Sequence, residues 1–152
     1  MESWFRITAN QSSVILGKFD NGGGSEDVSY SIRLNAGGNL FAQLGNGTPS
    51  GFINSTLYAT SINTWYQVVY VWKNVASNSL ETYINGVSIG SVSHSLASIL
   101  NTSNNLYIGS YNGGEFSQWF NGRIGIVRLY NSALSATDVL QNFNANKSIY
   151  GL

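Results

Sequence analysis

Apolar and polar positions alternate every second residue through many short stretches of this chain, and residues with turn chemistry separate the stretches. Trp4-Phe5-Arg6-Ile7-Thr8, Val14 to Phe19, Ser29 to Leu34 and Leu40 to Leu44 each combine β-branched and aromatic residues and end near Gly or Asn. Each is predicted to be a strand. Trp65-Tyr66-Gln67-Val68-Val69-Tyr70-Val71-Trp72 differs, because both of its alternating sets are largely apolar. A strand of that kind needs cover on both faces, so it is predicted to lie centrally in a layered structure. Leu80 to Ile84 and Val87 to Ser91 flank Asn85-Gly86, and the pair is predicted to form a hairpin with a type I′ turn, whose two positive φ angles Asn and Gly tolerate. Leu106 to Gly109 and Gly122 to Tyr130 complete the strands. One helix is predicted, of little more than two turns: Ser135 caps it, Asp138 serves as the capping-box acid, and Val139, Leu140 and Phe143 share a side. About ten strands and one late helix describe an all-β, antiparallel two-sheet sandwich in a single domain over residues 1–152.

Composition narrows the function more than the fold. The 152 residues hold seven Lys plus Arg against seven Asp plus Glu, and only 9% are charged. Zero formal net charge gives no attraction toward a phosphate backbone, and no apolar run approaches the ~18 residues of a membrane span. Nucleic-acid partners and membrane insertion are therefore not expected. The absence of Cys excludes disulfides and thiol chemistry. Met1-Glu2-Ser3-Trp4-Phe5 lacks the basic region and apolar run of a signal peptide.

Five pieces in one order carry a resemblance: the strand opened by Trp65, the Tyr83-Ile84-Asn85-Gly86 hairpin, Leu106-Tyr107-Ile108-Gly109, Phe120-Asn121-Gly122-Arg123-Ile124, and Arg128-Leu129-Tyr130-Asn131-Ser132-Ala133-Leu134-Ser135 leading into the helix. Together, from about Trp4 to Tyr150, they resemble the laminin-G-like, concanavalin A-type jelly-roll superfamily. The resemblance implies two curved antiparallel sheets and a domain that binds carbohydrate or protein, in many members with calcium; some members are glucanases. Members usually begin with one or two strands ahead of the segment that Trp4 to Ile7 resembles. Here either those strands are missing or another segment fills their place, and the candidates are the end of the chain from Asn144 to Leu152, another copy in a homo-oligomer, or a longer parent chain.

Candidate chemistry is sparse. His94, the single histidine, lies in a polar Ser-His-Ser stretch and reads as a surface or loop residue. The glucanase members carry a Glu-x-Asp-x-Glu run that this chain lacks, and its carboxylates, Glu2, Asp20, Glu26, Asp27, Glu81, Glu115 and Asp138, are scattered. No catalytic residue is assigned. The segment from Asp20 through Asn21 and three glycines to Glu26 and Asp27 offers oxygen ligands for a hard cation, making calcium the one cofactor to test, with a solvated turn as the alternative. A loop from Tyr111 to Trp119 combines aromatics with Asn112, Glu115 and Gln118, the pairing of apolar face and hydrogen bonder that a sugar ring requires. The alternative there is that Phe116 and Trp119 tuck into the core. Trp72, at the end of the central strand, is a further candidate for the same kind of surface. Asn-x-Ser/Thr sequons at Asn10, Asn46, Asn54, Asn101 and Asn146 are about as frequent as this Asn- and Ser-rich composition gives by chance. The expectation is a non-catalytic recognition module, foremost for glycans, on an extracellular, cell or virion surface; a structural domain binding surface proteins and a glycoside hydrolase of the same fold are the alternatives.

Overall fold

A computed structural model describes residues 1–19, 28–49, 51–74, 77–113 and 116–152, with backbone alone over 111–113 and 116–118. The proposed calcium ligands Asp20, Asn21, Glu26 and Asp27, and Glu115 of the proposed sugar loop, lie outside the described residues. Thirteen strands are described: β1 Glu2–Ile7, β2 Ser13–Phe19, β3 Val28–Leu34, β4 Asn39–Gly45, β5 Phe52–Asn54, β6 Tyr58–Ala59, β7 Trp65–Lys73, β8 Ser79–Ile84, β9 Val87–Ser93, β10 Leu106–Ile108, β11 Ser110–Gly113, β12 Phe116–Trp119 and β13 Gly122–Arg128. Helix α1, Ala136–Asn146, follows, and a 3-10 turn, Lys147–Tyr150, ends the chain. One sheet has the order β13-β1-β7-β8-β9; the other runs β10-β2-β3-β4-β5 with β6 beside β4. All their pairs are antiparallel, as a jelly-roll sandwich requires.

β7 occupies the middle of the five-stranded sheet, and both faces are covered as its sequence demands. Tyr66, Val68 and Tyr70 join Phe5, Ile15, Ile32, Leu44 and Leu80 between the sheets, whereas Val69 and Val71 meet Tyr83 and Val139 beneath α1. The Asn85-Gly86 turn is present, with φ of 51° and 80°. Ser135 caps α1: its hydroxyl accepts the Asp138 N–H at 3.2 Å, and the Asp138 carboxylate accepts the Ser135 N–H at 2.9 Å.

Several expectations change. The helix has eleven residues, about three turns, because Phe143 and the segment after it also find cover on the sheet. Leu140 is half exposed, yet it sits beside Phe143 over Gly86 of the hairpin. The first strand begins at Glu2, and the last ends at Arg128, the residue with which its pairing to β1 ends. β1 is flanked by β7 and β13, so no edge is open beside it along residues 2–7. The end of the chain does dock on the sheet, but on its outer face and not along an edge. Tyr150 stacks on Trp4 and lies against Trp65, each with ring centroids at 4.5 Å. Gly125 permits this, since a Cβ there would collide with the Tyr150 ring.

The same outer face buries a charge. Glu2 is fully buried and its carboxylate accepts five hydrogen bonds, from Trp4 Nε1 (3.2 Å), Gln67 Nε2 (2.9 Å), Arg128 Nη1 (3.1 Å), the Tyr130 hydroxyl (2.6 Å) and Asn142 Nδ2 (3.2 Å). One side chain thereby ties β1, β7, the segment after β13, and α1. Burial, followed by its hydrogen bond to Glu2, pushes the Tyr130 hydroxyl up to about 12, and burial raises Tyr70 beyond the ordinary phenol range.

Three outcomes follow from this packing. Glu2→Ala leaves five donors without their acceptor, and because the Arg128 side chain stays partly in water, urea denaturation should show a loss of about 1–3 kcal/mol, the usual cost of unsatisfied buried donors. Tyr150→Ala removes two ring contacts and should lower stability by about 1–3 kcal/mol, several degrees in Tm for a domain of this size. In alkali, both raised tyrosines keep their protons in the folded state while the unfolded chain loses them. Stability present below pH 10 should therefore fall as pH rises toward 12, and less steeply in Tyr130→Phe.

Candidate functional site

At one end of the sandwich, Gly109 takes φ of 71°, and the chain after it forms a two-stranded ribbon of β11 and β12, pairing Ser110 with Trp119, Tyr111 with Gln118 and Asn112 with Ser117. The sequence leads to a loop here; main-chain pairing makes it a hairpin, which fixes which residues sit opposite one another. Its base is held from both sides. The Phe120 N–H donates to the Gly109 carbonyl at 2.9 Å, and Gln11 Nε2 donates to the Trp119 carbonyl at 2.6 Å. Phe120 packs edge-on against Phe5 of the core, but Trp119 is 57% exposed, so its indole is a surface feature and does not tuck inside. Close by, the Thr8 hydroxyl donates to Asn121 Oδ1 at 2.5 Å and the Thr8 N–H to the Asn121 carbonyl at 2.9 Å. Thr8, Gln11 and Asn121 therefore surround the base of the ribbon with amide and hydroxyl groups. Nothing in the sequence singles them out. Thr8 and Gln11 are more than a hundred residues from Trp119 in the chain; the β1–β13 pairing of Ile7 with Gly122 and the bond from the Gly109 N–H to the Ile15 carbonyl of β2 bring them together. The side chains of Tyr111, Asn112 and Gln118 lie outside the described residues, as does Glu115.

Trp72 is not part of this surface. Arg6 pairs with Trp65 and Ile7 with Gly122, which places the start of β7 at the ribbon end; Trp72 is seven residues further on, about 23 Å at a strand rise of ~3.3 Å per residue. It opens instead on a cleft of about 660 Å³ at the opposite end, among Met1, Tyr30, Leu44, Ile99 and residues 129–134. There its ring stacks on His94 with centroids at 6.0 Å. His94 follows β9 and is half-buried, with Nδ1 accepting the Leu96 N–H at 3.1 Å. Asn74, next along, donates its amide to the Ala97 carbonyl at 3.1 Å.

The described carboxylates all have structural partners. Glu2 is enclosed by its five donors, and Asp138 caps α1. Glu81 receives Lys73 Nζ at 2.6 Å and the Tyr83 hydroxyl at 2.9 Å, and the bond from Lys73 holds its carboxyl below the usual range. Among the described residues no three metal-ligating side chains converge.

The fold has clear relatives among solved structures. A Bacteroides ovatus protein whose proposed role is carbohydrate binding superimposes with a TM-score of 0.70 at 17% identity, over 92% of this chain and 39% of its own. The CBM40 of the Ruminococcus gnavus IT-sialidase, solved bound to alpha2,3 sialyllactose, gives 0.69 at 13% identity, over 93% of this chain and 80% of its own. The binding domain of botulinum neurotoxin serotype G gives 0.68 at 17% identity, over 97% and 36%. At these identities the likeness is one of fold, and this chain spans well under half the length of the first and third. No curated protein matches the sequence significantly. A laminin G family model, however, matches residues 1–140, with the sandwich, the Asn-Gly hairpin and the start of the capped helix all inside that span; the chain belongs to the concanavalin A-like lectin/glucanases superfamily.

Proposed function

We propose that this domain is a non-catalytic glycan-recognition module of an extracellular, cell or virion surface, and that it holds sugar at the ribbon end. The observation that carries the reading is Trp119: a large indole left exposed on a hairpin whose base is pinned by Gln11 and the Gly109 carbonyl. Leaving such a ring in water forgoes the favourable burial of its apolar surface, and a sugar's C–H face supplies an apolar partner that still needs hydrogen bonds around its rim. Thr8, Gln11 and Asn121 provide amides and hydroxyls there, and Tyr111, Asn112, Glu115 and Gln118 are the further candidates from the hairpin. The superfamily and the sialyllactose-bound CBM40 are consistent with this class of ligand.

A glycan array, followed by titration of tryptophan fluorescence with the best hit, tests the reading. Trp119→Ala should weaken binding at least tenfold, the equivalent of about 1.4 kcal/mol, with little change in Tm; Trp72→Phe should leave affinity intact. A hit bound equally well by Trp119→Ala moves the site elsewhere, and an array without hits removes glycans as the ligand. Laminarin, lichenan and chromogenic glycosides should not be turned over. Hydrolysis abolished by Glu81→Gln or Glu115→Gln would instead make the domain an enzyme.

A further inference from the structure

Two arginines stand against each other at the ribbon end. Arg6 of β1 pairs directly with Arg123 of β13, so the two side chains leave the sheet on one face. That face is the outer one, because Phe5 and Ile7 on either side of Arg6 point into the core. Like charges directly opposite on neighbouring strands repel, and an acid within reach would offset this. The described acids are engaged elsewhere: Glu2 by Arg128, Glu81 by Lys73, and Asp138 by the cap of α1. Neither Arg6 nor Arg123 has an ion pair among the described residues. Arg6 Nε is also buried, with no hydrogen-bond acceptor among the described residues, whereas Arg123 is exposed and free to move toward whatever Arg6 holds. An aromatic wall adjoins the pair. Trp65 is the partner of Arg6 on β7, and the Tyr150 ring lies against it at 4.5 Å. Two residues from Arg6 and Arg123, about 7 Å at a strand rise of ~3.3 Å per residue, come Thr8 and Asn121 at the base of the ribbon.

We propose that Arg6 and Arg123 bind an oxyanion, a carboxylate or sulfate group carried by the glycan at the ribbon end. A guanidinium presents paired N–H groups to two oxygens of such a group. One anion set between the arginines gives the buried Nε its acceptor and turns their mutual repulsion into two attractions. Trp65 beside them offers an apolar surface to the sugar that bears the anion. Two charges, in a chain of zero formal net charge, are too few to follow a phosphate backbone, so a single acidic group is the fit. The inference rests on the glycan reading for its carrier and adds the class: the glycan is acidic. The oxyanion contact itself stands on the two arginines.

Two measurements on the full chain separate the contact from its carrier. In the first, the isotopically labelled chain is titrated with sodium sulfate and, separately, with sodium acetate at constant ionic strength. The Arg6 Nε–Hε resonance should shift saturably, and should stop responding in Arg123→Gln. In the second, a glycan array with neutral, carboxylated and sulfated members is probed. The best binders should be acidic, and whether they carry carboxylate or sulfate identifies the group. Their binding should fall about tenfold or more in Arg6→Gln and in Arg123→Gln, fall likewise when the carboxylate is esterified or the sulfate removed, and weaken with added NaCl. Arg123→Gln, relieved of the repulsion, should melt at or above the parent temperature. A Tm lowered by several degrees would show that the fold itself holds Arg123, and would overturn the site. An Arg6 resonance indifferent to both salts would overturn it as well. So would neutral hits bound equally by both variants, an outcome that leaves the glycan reading standing. An array without hits beside a responsive Arg6 removes glycans as the carrier and upholds the oxyanion contact.

Discussion

A strand with apolar side chains on both faces has no stable place at a surface, and β7 imposes that constraint on everything around it. Its inward face, Tyr66, Val68 and Tyr70, is satisfied by the second sheet, the usual solution for a sandwich. Its outward face, Val69 and Val71, cannot be satisfied by the second sheet, so a third layer is required there, and the chain supplies it late, as α1 and the 3-10 turn. The helix is thus the cover that the central strand demands, and its capping box, Ser135 with Asp138, fixes where that cover begins. Helix α1 buries little else: Val139 alone is fully enclosed, and Phe143 reaches the sheet by stacking on Trp4 at 5.8 Å.

Burial of that outer face also explains how a carboxylate comes to sit at zero exposure. Once α1 lies over β1, the outward-facing Glu2 loses its water, and an unpaired charge in that position would cost several kcal/mol. Five donors replace the water, drawn from four places in the chain, and each bond also fixes the position of the element it comes from. The network is therefore specific as well as tolerable. A shift of α1 by one residue would bring to Glu2 either Phe143, which has no side-chain donor, or Gln141, whose amide sits one methylene further out than that of Asn142.

The legible parts of the fold are those whose information is local. The two apolar faces of β7, the Asn85-Gly86 turn and the Ser135 cap each lie within a few residues, and each is found where the sequence puts it. What escapes depends on distant partners. Glu2 offers no sign of burial until Arg128, Tyr130 and Asn142, more than 125 residues away, close around it. β5 and β6 are three and two residues long, too short for any alternation to register. The ribbon reads as a loop because Asn112-Gly113-Gly114-Glu115 carries turn chemistry and its strands are only four residues each. The candidate site is partly legible for the same reason. Trp119 is visible as an aromatic beside polar residues, but Thr8, Gln11 and Asn121 gather around its ribbon through the register of β1 with β13 and the ribbon's tie to β2. The sequence offers Trp72 and Trp119 for the same kind of surface; strand direction puts them at opposite ends.

That separation shapes how the domain can work. The ribbon end and the cleft end are joined by β7 and β1, whose side chains are almost wholly buried and whose main chains are paired along nearly their whole shared length. Close-packed strands of this kind transmit little without a second stable arrangement to move into, and energetic coupling between sites requires such a two-state element. β1 and β7, which link the two ends, are packed and paired in one arrangement. Occupation of the ribbon end should therefore leave the cleft end unchanged, so the sandwich acts as a stiff spacer. The ribbon end and the cleft end thus face opposite ways, and the geometry that keeps them apart is the same buried β7 that organises the fold.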